Sequence, residues 1–347
     1  MKSMFFLLIA VTIATAQNLV SPSDPAIRYW GRFEQSEPDV LRFDWPGFKI
    51  NTLFEGTSCA IRVRGDGELY NVFINDSLKV VRFEPVDSVY LLAQNLSDTV
   101  HSIRITNRFE SRRGAARFYG FILDDGKQLH APKGEYKYRI EYLGGSNLLG
   151  FGNESTKTQC ENHRDLSNSY LSFGPVSARL LGAEYHLVAL SGKGVVRNWA
   201  EKYITSKYPF GHYYNRTLRN NRELEWDFSS WIPHVVVISL GTNDFSTQPH
   251  PPKSLYKSRY SALIDEIRSN YPDVGIVCMT SSREPLEEYV SELVEELREA
   301  GDERIAFYSF GSISWEQAGC DWHPNIEAHR EIAQELARVI KPLLPKQ

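Results

Sequence analysis

The spacing of apolar residues changes once along this 347-residue chain, and that change restricts the possible folds more than any other feature. From about Ile27 to Leu129, apolar and polar residues alternate. In the segment SCAIRVRG, for example, Cys59, Ile61 and Val63 occupy every second position, and Arg62 and Arg64 occupy positions between or after them. Gly, Asp, Asn and Pro interrupt the pattern at short intervals, and no long amphipathic helix fits it. Short strands separated by such turns predict an antiparallel β-sandwich.

From about Tyr136 onward the apolar residues form short continuous runs, each ending in Gly or Ser: YRIEYLGG, EYHLVALSG, HVVVISLG, VGIVCMTS and RIAFYSFG. Runs of this kind are typical of parallel strands that are covered on both faces. Helical patterns lie between them, such as PLEEYVSELVEELREAG between Pro285 and Gly301, and PNIEAHREIAQELARVIKPLL near the end. Strands alternating with helices predict a doubly wound α/β domain.

The N-terminal residues predict a secretory signal peptide over residues 1–16. Lys2 supplies a positive charge, and the following apolar run is too short to span a bilayer. Ala14, Thr15 and Ala16 form a small-x-small sequence that is typical of a cleavage site. The mature chain is therefore expected to be secreted into the extracellular space.

Charge and hydropathy limit the partners of the mature chain. The formal net charge is −4, and no basic patch or run of Lys and Arg stands out, so nucleic acid is not expected as a partner. No further apolar run is long enough to cross a membrane. The chain is expected to be a monomer. We divide the mature chain into a β-sandwich over residues 17–130 and an α/β domain over residues 136–347, with a linker over residues 124–137.

Cysteines and glycosylation sequons add expectations about the compartment. Four cysteines, Cys59, Cys160, Cys278 and Cys320, allow one or two disulfides, and the sequence does not choose among the possible pairings. Cys278 lies in an apolar run and is equally compatible with a buried free thiol. No cysteine pair has the spacing of metal ligands. Four N-x-S/T sequons are expected at the surface if the chain is glycosylated: Asn75, Asn95, Asn153 and Asn215.

Candidate site residues follow four of the predicted strand or loop ends, where ligands bind in open α/β sheets. The four segments are Gly144-Gly145-Ser146, Ser191-Gly192-Lys193-Gly194, Gly241-Thr242-Asn243-Asp244 and Asp321-Trp322-His323-Pro324. A serine, a glycine amide, an asparagine side chain and a histidine are the groups that a serine esterase needs. Asp321 lies two residues from His323, so on an extended segment its carboxylate would orient the imidazole. Each segment alone is also compatible with an ordinary turn, a helix cap or a solvated histidine.

Taken together, the four segments resemble the Ser, Gly, Asn and His blocks of the SGNH (GDSL-like) hydrolase superfamily. Within it, the chain resembles carbohydrate esterase family 2 through GGSNLLGFGNES, LSGKGVVRN, LGTNDFS and GCDWHPN. The N-terminal segment IRYWGRFEQSEPDVLRFDWPG is similar to the opening of that family's jelly roll. The resemblance implies a flavodoxin-like, doubly wound SGNH domain preceded by an antiparallel jelly-roll sandwich.

The resemblance implies removal of O-acetyl groups from carbohydrates such as xylan and other plant-wall glycans, with a preference for the 6-position of hexoses. Ser146 would be the nucleophile, His323 the base, and Gly192 and Asn243 the oxyanion donors together with the Ser146 amide. Asp321 would orient His323, or a main-chain carbonyl would do so in a dyad. Neither a metal nor an organic cofactor is required, and the expected partner is an acetylated oligo- or polysaccharide.

Aromatic residues near the four segments are candidates for sugar contacts. Trp322 lies between Asp321 and His323 and is the candidate for stacking on a sugar ring, whereas Trp199 and Phe245 are expected in the core.

One departure from the resemblance concerns the residue before the serine. The family usually has Gly-Asp-Ser, and this chain has Gly145 in place of the aspartate. A glycine adds backbone freedom and can loosen the turn that holds the serine. This departure leaves open a secreted glycan-binding protein with weak or no catalysis. Independently of Gly145, an esterase that acts on a lipid or another short-chain ester also stays open.

Overall fold

A computed structural model describes residues 18–134 and 136–346 of the chain, so the predicted signal peptide lies outside the described residues. Residues 18–134 form strands and turns without a helix. The strands are β1 (Asn18–Val20), β2 (Arg28–Trp30), β3 (Glu34–Glu37), β4 (Val40–Phe43), β5 (Lys49–Gly56), β6 (Cys59–Arg64), β7 (Leu69–Ile74), β8 (Ser77–Arg82), β9 (Ser88–Ala93), β10 (Thr99–Asn107), β11 (Ala116–Leu123) and β12 (Leu129–His130).

These strands pair antiparallel in two sheets that pack face to face. One sheet has the order β3-β4-β11-β6-β9, with β1 added to β11, and the other has the order β12-β5-β10-β7-β8, with β2 added to β5. The alternation in the sequence determines which side chains point inward, and Phe54, Ile61, Val63 and Phe118 lie in the shared core. The predicted antiparallel sandwich is confirmed.

The second half of the chain alternates strands and helices. Its strands are β13 (Tyr138–Gly144), β14 (Ala183–Ala189), β15 (Arg216–Leu218), β16 (Asn221–Glu225), β17 (Val235–Ser239), β18 (Gly275–Thr280) and β19 (Ile305–Ser309). Its α-helices are α1 (Phe173–Leu180), α2 (Gly211–Tyr214), α3 (Lys253–Asn270), α4 (Leu286–Glu299) and α5 (Ile326–Ile340). Short 3₁₀ turns cover Ser169–Leu171, Cys320–Trp322 and Lys341–Leu343.

The main sheet of this half is parallel and has the order β14-β13-β17-β18-β19. In order along the chain this is 2-1-3-4-5, the flavodoxin-like order of a doubly wound sheet. Helices α1 and α5 pack together on one face, and α3 and α4 pack on the other. Because both faces are covered, the strands read as continuous apolar runs, and the predicted α/β fold is confirmed. The hairpin of β15 and β16 was not predicted.

A buried ion pair joins the sandwich to the α/β half. Arg32, just after β2, lies 2.9 Å from the carboxylate of Glu141 on β13, and both side chains are fully buried. The same guanidinium donates to the backbone carbonyls of Tyr214 and Arg216. The Trp45 indole also crosses the boundary and donates to the Thr217 carbonyl at 3.1 Å. The two halves are therefore joined by buried polar contacts to β13 and to the segment around β15.

The structure determines which cysteines are paired and which sequon asparagines are exposed. Cys160 and Cys320 form a disulfide, whereas Cys59 and Cys278 are buried free thiols. Three sequon asparagines are exposed: Asn75, Asn95 and Asn215. The surface expectation is wrong for Asn153, which is 1% exposed and donates its amide to the Asn168 carbonyl at 3.0 Å.

Within the described part of the chain, none of the helices has both the length and the apolar character required to span a bilayer.

Candidate active site

Ser146 lies just beyond the carboxyl end of the central strand β13. The chain turns tightly there: the Leu149 amide donates to the Gly145 carbonyl, and the Phe151 amide donates to the Ser146 carbonyl, both at 3.1 Å. The next two strands of this sheet along the chain, β14 and β17, lie on opposite sides of β13, so the strand order reverses there. The serine therefore lies at the crevice where doubly wound sheets bind their ligands.

His323 contacts this serine directly. Its Nε2 lies 2.8 Å from Ser146 Oγ, and its Nδ1 lies 3.1 Å from the carbonyl oxygen of Cys320. A carbonyl can only accept a hydrogen bond, so the Nδ1 nitrogen carries the ring proton and Nε2 is left as an acceptor. This tautomer allows the Ser146 hydroxyl to donate to Nε2.

The expectation that Asp321 orients the imidazole is not met in this geometry. Asp321 is exposed, and the group that faces Nδ1 is the backbone carbonyl of Cys320. Asp321 and Trp322 have φ values of 49° and 62°, so the segment is a tight loop in the left-handed region. Residues two apart share a side only on an extended segment. The loop therefore turns the carboxylate away and presents a main-chain carbonyl instead.

Aromatic stacking fixes the plane of the His323 ring. Phe151 stacks on it with ring centroids 4.4 Å apart and an interplanar angle of 29°. On its other face Phe151 stacks on His163, again at 4.4 Å, with an angle of 13°. Burial lowers the pKa of His323 below its usual value, and the hydrogen bond to the Cys320 carbonyl opposes this effect. The imidazole is therefore neutral, and able to accept a proton, near neutral pH.

The loop before His323 is tied covalently to the loop that follows Ser146. The disulfide joins Cys160 to Cys320, the residue whose carbonyl faces the imidazole. Gly152 makes room for this bridge, because a Cβ there would lie 2.2 Å from the Cys320 Cβ. Its φ of +55° also suits glycine.

The two expected oxyanion residues lie beside Gly145 at the same rim of the sheet. A Cβ at Gly145 would lie 3.3 Å from Asn243 Nδ2 and 3.8 Å from the Lys193 carbonyl, which directly follows Gly192. Asn243 Nδ2 donates to that carbonyl at 2.8 Å. Ser146, His323, Asn243 and the loop around Gly192 are thus brought together, as the four sequence segments predict.

Asp244 was not recognised from the sequence as a site residue, although it directly follows Asn243. Its buried carboxylate accepts hydrogen bonds from the backbone amides of Val195, Val196 and Arg197 at 3.0, 2.6 and 2.9 Å. Burial raises the pKa of Asp244 to about 6 despite these bonds. The carboxylate holds the loop after β14 against the loop after β17.

Glu110, in the sandwich half, also reaches the site and was not predicted. Its carboxylate accepts from the Ser191 amide at 3.1 Å and lies 3.4 Å from the Arg219 guanidinium. Eighty-one residues separate Glu110 from Ser191. A contact over that separation leaves no periodic or local signal in the sequence.

The glycine that replaces the family's aspartate leaves the serine in contact with its partner. Gly145 has no left-handed φ, and a Cβ added there would meet nothing closer than Asn243 Nδ2 at 3.3 Å. The turn bonds of Ser146 and its contact with His323 are all present. The missing aspartate therefore does not disrupt the geometry.

Exposed indoles lie next to the histidine. Trp322 is 59% exposed and packs edge-on against Trp315, which is 65% exposed, with ring centroids 5.1 Å apart. Trp199 is 66% exposed, so its expected core position is wrong, whereas Phe245 is buried as expected. Within residues 18–134 and 136–346, no group of three or more His, Cys, Asp or Glu side chains is placed to hold a metal ion.

Two family profiles match the chain. Residues 29–132 match the family described as Carbohydrate esterase 2 N-terminal. Residues 142–331 match the GDSL-like Lipase/Acylhydrolase family, and this second match alone covers more than half of the chain.

Individual relatives agree with these matches. The cellulase/esterase CelE of Acetivibrio thermocellus is 33% identical over 92% of this chain, which spans only 39% of that protein. An acetylxylan esterase / glucomannan deacetylase of Cellvibrio japonicus is 29% identical, over 87% of this chain and 85% of that protein.

A solved structure supports the same relationship. It is a family two carbohydrate esterase from Clostridium thermocellum in complex with cellohexaose, with a TM-score of 0.84 and 31% identity. The match covers 91% of this chain and 98% of that chain. With both halves matched in this order, the chain belongs to carbohydrate esterase family 2, within the GDSL-like hydrolases.

Proposed function

We propose that this chain is a secreted serine esterase that removes O-acetyl groups from carbohydrates, with Ser146 as nucleophile and His323 as general base. The observation that carries the proposal is the 2.8 Å contact between Ser146 Oγ and Nε2 of a ring whose Nδ1 faces a carbonyl. A serine hydroxyl attacks a carbonyl carbon poorly unless a base within hydrogen-bond reach takes its proton. This geometry supplies such a base in the required tautomer.

In the first step His323 Nε2 accepts the proton of Ser146 as Oγ attacks the acetyl carbon. The oxyanion that forms would accept hydrogen bonds from the amides of Ser146 and Gly192 and from the Asn243 side chain. Asn243 Nδ2 has two hydrogens, and the Lys193 carbonyl takes one of them, so the other is free for the oxyanion. Each such donor contributes about 3–4 kcal/mol to transition-state stabilisation.

In the second step the imidazolium gives its Nε2 proton to the departing sugar oxygen, which leaves as a hydroxyl. Water then gives a proton to the same nitrogen as it attacks the acetyl-Ser146 ester. When the ester bond breaks, that proton passes to Ser146 Oγ, and acetate leaves. The Cys320 carbonyl takes the orienting role that a carboxylate has in a triad, which makes the proposed machinery a Ser-His dyad. The scheme uses only groups of this chain, without a metal or an organic cofactor.

The proposed substrate class is supported by the names of the relatives and by the surface beside the site. One relative is named as an acetylxylan esterase / glucomannan deacetylase, and a related structure holds cellohexaose. The exposed Trp322 and Trp315 next to His323 offer flat faces on which a sugar ring stacks. We therefore infer an O-acetylated plant-wall polysaccharide, with acetyl at the 6-position of hexoses as one candidate.

Secretion is supported by the predicted signal peptide and by the disulfide at the site. Disulfides persist in oxidising compartments and are rare in the cytosol. The bridge between Cys160 and Cys320 supports the hydrogen-bond partner of His323, so an oxidising compartment suits the proposed activity.

The proposal is tested by measuring acetate release from acetylated xylan and from a chromogenic acetate ester. Ser146→Ala is expected to abolish both activities, and Ser254→Ala, an exposed serine on α3, is the matched control. A Ser146→Ala protein that retains the wild-type rate would overturn the assignment of the nucleophile. A preference for long acyl chains over acetyl would instead support the lipid-type ester.

A glycan-binding protein with little catalysis stays the second candidate, because the exposed Trp322 and Trp315 would bind a glycan without turnover. Binding of a neutral oligosaccharide by folded wild-type protein that does not hydrolyse the chromogenic ester would favour it.

A further inference from the structure

We propose that a row of arginines on the outer face of the sandwich binds the acidic groups of an anionic, O-acetylated polysaccharide. This inference rests on the proposed function and narrows its substrate class. The row consists of Arg42 on β4, Arg117 on β11 and Arg64 on β6, with Arg113 from the loop before β11 beside it. We call these four residues the arginine row.

The register of three adjacent strands places the side chains of Arg42, Arg117 and Arg64 next to one another across the sheet. Arg117 is the direct cross-strand partner of Arg42 on one side and of Arg64 on the other. The next position along, Phe118, pairs with Leu41 and Val63, and all three are buried in the core. Since side chains alternate across a strand, the three arginines point together from the outer face.

Like charges directly opposite one another on a sheet are destabilising, so this arrangement needs compensation. Arg42 is paired with Glu34, and Arg64 donates to the Pro85 carbonyl. Neither Arg117 nor Arg113 has an ion pair with any carboxylate among the described residues, and both are exposed. Positive charge is thus concentrated at one place on a chain whose net charge is −4.

The acid that lines the groove at the arginine row is Asp44, and its hydrogen bonds go to residues outside the row. Its carboxylate accepts from the backbone amides of Arg219 and Asn220 at 2.8 and 3.1 Å. The groove is completed by Leu218, Asn220 and Asn221 at the turn between β15 and β16. Guanidinium groups in an open groove suit carboxylate or sulfate oxygens, which they bind with paired N–H donors.

The groove is connected to the loop that carries the proposed oxyanion donor. Arg219, which caps Asp44 through its amide, donates its side chain to the Ser111 carbonyl and contacts Glu110. Glu110 in turn accepts from the amide of Ser191, the residue before Gly192. These contacts place two side chains, Arg219 and Glu110, between the groove and the loop that carries Gly192.

An acidic glycan fits the groove better than a nucleic acid. Single-stranded nucleic acids are held by aromatic side chains that stack on the bases as well as by positive charge. The residues that line the groove include four arginines and no aromatic side chain. A glycan chain with carboxylates or sulfates needs only the charged donors. Uronic acids and sulfated sugars share this chemistry, and the experiment distinguishes them.

Binding is measured by calorimetry with four probes: a de-esterified oligogalacturonate, a sulfated oligosaccharide, neutral cellohexaose and a single-stranded oligonucleotide. The wild type is expected to bind one or both acidic glycans more tightly than cellohexaose, and the tighter of the two identifies the source. Arg117→Gln should weaken that binding by roughly tenfold, because it removes charged hydrogen bonds. Arg259→Gln, an exposed arginine on α3, is the matched control and should bind like the wild type.

The conservative variant separates a binding role from a structural one. Arg117→Lys keeps the charge and loses the paired donors, so its affinity should lie between those of wild type and Arg117→Gln. Melting of Arg117→Gln should occur at the wild-type temperature or above it, since a like-charge contact is removed. Equal affinity of wild type and Arg117→Gln for both acidic glycans, or tightest binding of the oligonucleotide, would overturn the proposal.

Turnover provides a second readout. For Arg117→Gln, the ratio of kcat/KM on an acidic acetylated polysaccharide to that on a neutral one should fall about tenfold, and for Arg259→Gln it should keep the wild-type value. Calorimetry requires no hydrolysis. If the wild type binds an acidic glycan but releases no acetate, only the proposed esterase activity is contradicted. If it releases acetate but binds neither acidic glycan, only the proposed role of the arginine row is contradicted.

Discussion

The two sides of the Ser146 crevice are held by different means. On one side, the loop around Gly192 is fixed by a buried carboxylate, Asp244, that accepts three backbone amides. On the other, the loop that carries His323 is exposed, has two residues in the left-handed region and is tied down by a disulfide. The oxyanion side therefore depends on buried hydrogen bonds, and the histidine side on a covalent tether and stacked rings.

Asp244→Ala should have the largest effect, because it removes the brace of the oxyanion side. Three buried amides would lose their acceptor, which we expect to lower the free energy of unfolding by about 3 kcal/mol or more. Movement of Gly192 should lower kcat by roughly 10²–10³-fold. Denaturant unfolding and acetate release measure the two effects. An Asp244→Ala enzyme with wild-type kcat would show that the oxyanion loop needs no brace.

Cys160→Ser should come next, because it releases the tether of the histidine side. Removing a native disulfide typically costs about 2–5 kcal/mol of stability. We expect kcat to fall by about tenfold, since the Cys320 carbonyl would no longer be held against the imidazole. Cys59→Ala, at a buried free thiol, controls for the loss of a cysteine. Equal losses of kcat in both variants would contradict a specific role of the bridge.

Removing the ring that stacks on His323, by Phe151→Ala, should have a smaller effect, which concerns the pH dependence of kcat/KM. Burial holds the pKa of His323 below about 6.5, its usual value. The base works only when neutral, so kcat/KM should stay high down to a pH below that value and fall as the pH drops through the lowered pKa. Phe151→Ala would admit water to the ring and move this acid limb to higher pH, and Phe151→Tyr, which keeps the stack, should leave it in place. A limb that does not move in Phe151→Ala would exclude burial as the cause.

The smallest effect should come from Asp321→Asn. Its carboxylate is exposed, so solvent weakens its charge interaction with His323, and kcat should change by less than about threefold. Steady-state kinetics at the pH optimum measure this. A drop of a hundredfold or more would restore Asp321 as the orienting group and contradict the dyad.

Periodicity predicted most of the fold because each sheet buries a regular pattern. The alternating residues around Ile61 and the continuous runs that end at Gly144 report directly which faces are covered. The four site segments were also recognisable, since each follows a strand end or precedes the final helix. These features depend on residues that are close together along the chain, so they can be recognised from the sequence.

The rest depends on contacts that the sequence does not encode locally. The orienting carbonyl of Cys320 depends on left-handed φ values at Asp321 and Trp322, which no propensity favours for tryptophan. The sequence analysis found no basic patch, because Arg42, Arg64 and Arg117 are far apart along the chain and become neighbours only through strand register. Glu110 likewise reaches Ser191 only after the two halves pack.

The Arg32–Glu141 pair limits how the two halves can be separated in protein engineering. Cutting the chain between them, or grafting the catalytic half onto a foreign sandwich, would leave the Glu141 carboxylate on the central strand β13 without its counterion. Breaking a buried pair by removing one partner costs about 3–5 kcal/mol, a large fraction of the stability of a typical domain. In any chimera that keeps β13, the foreign sandwich must therefore supply an arginine at the place of Arg32. Alternatively, both charged residues must be replaced together with apolar residues of similar volume.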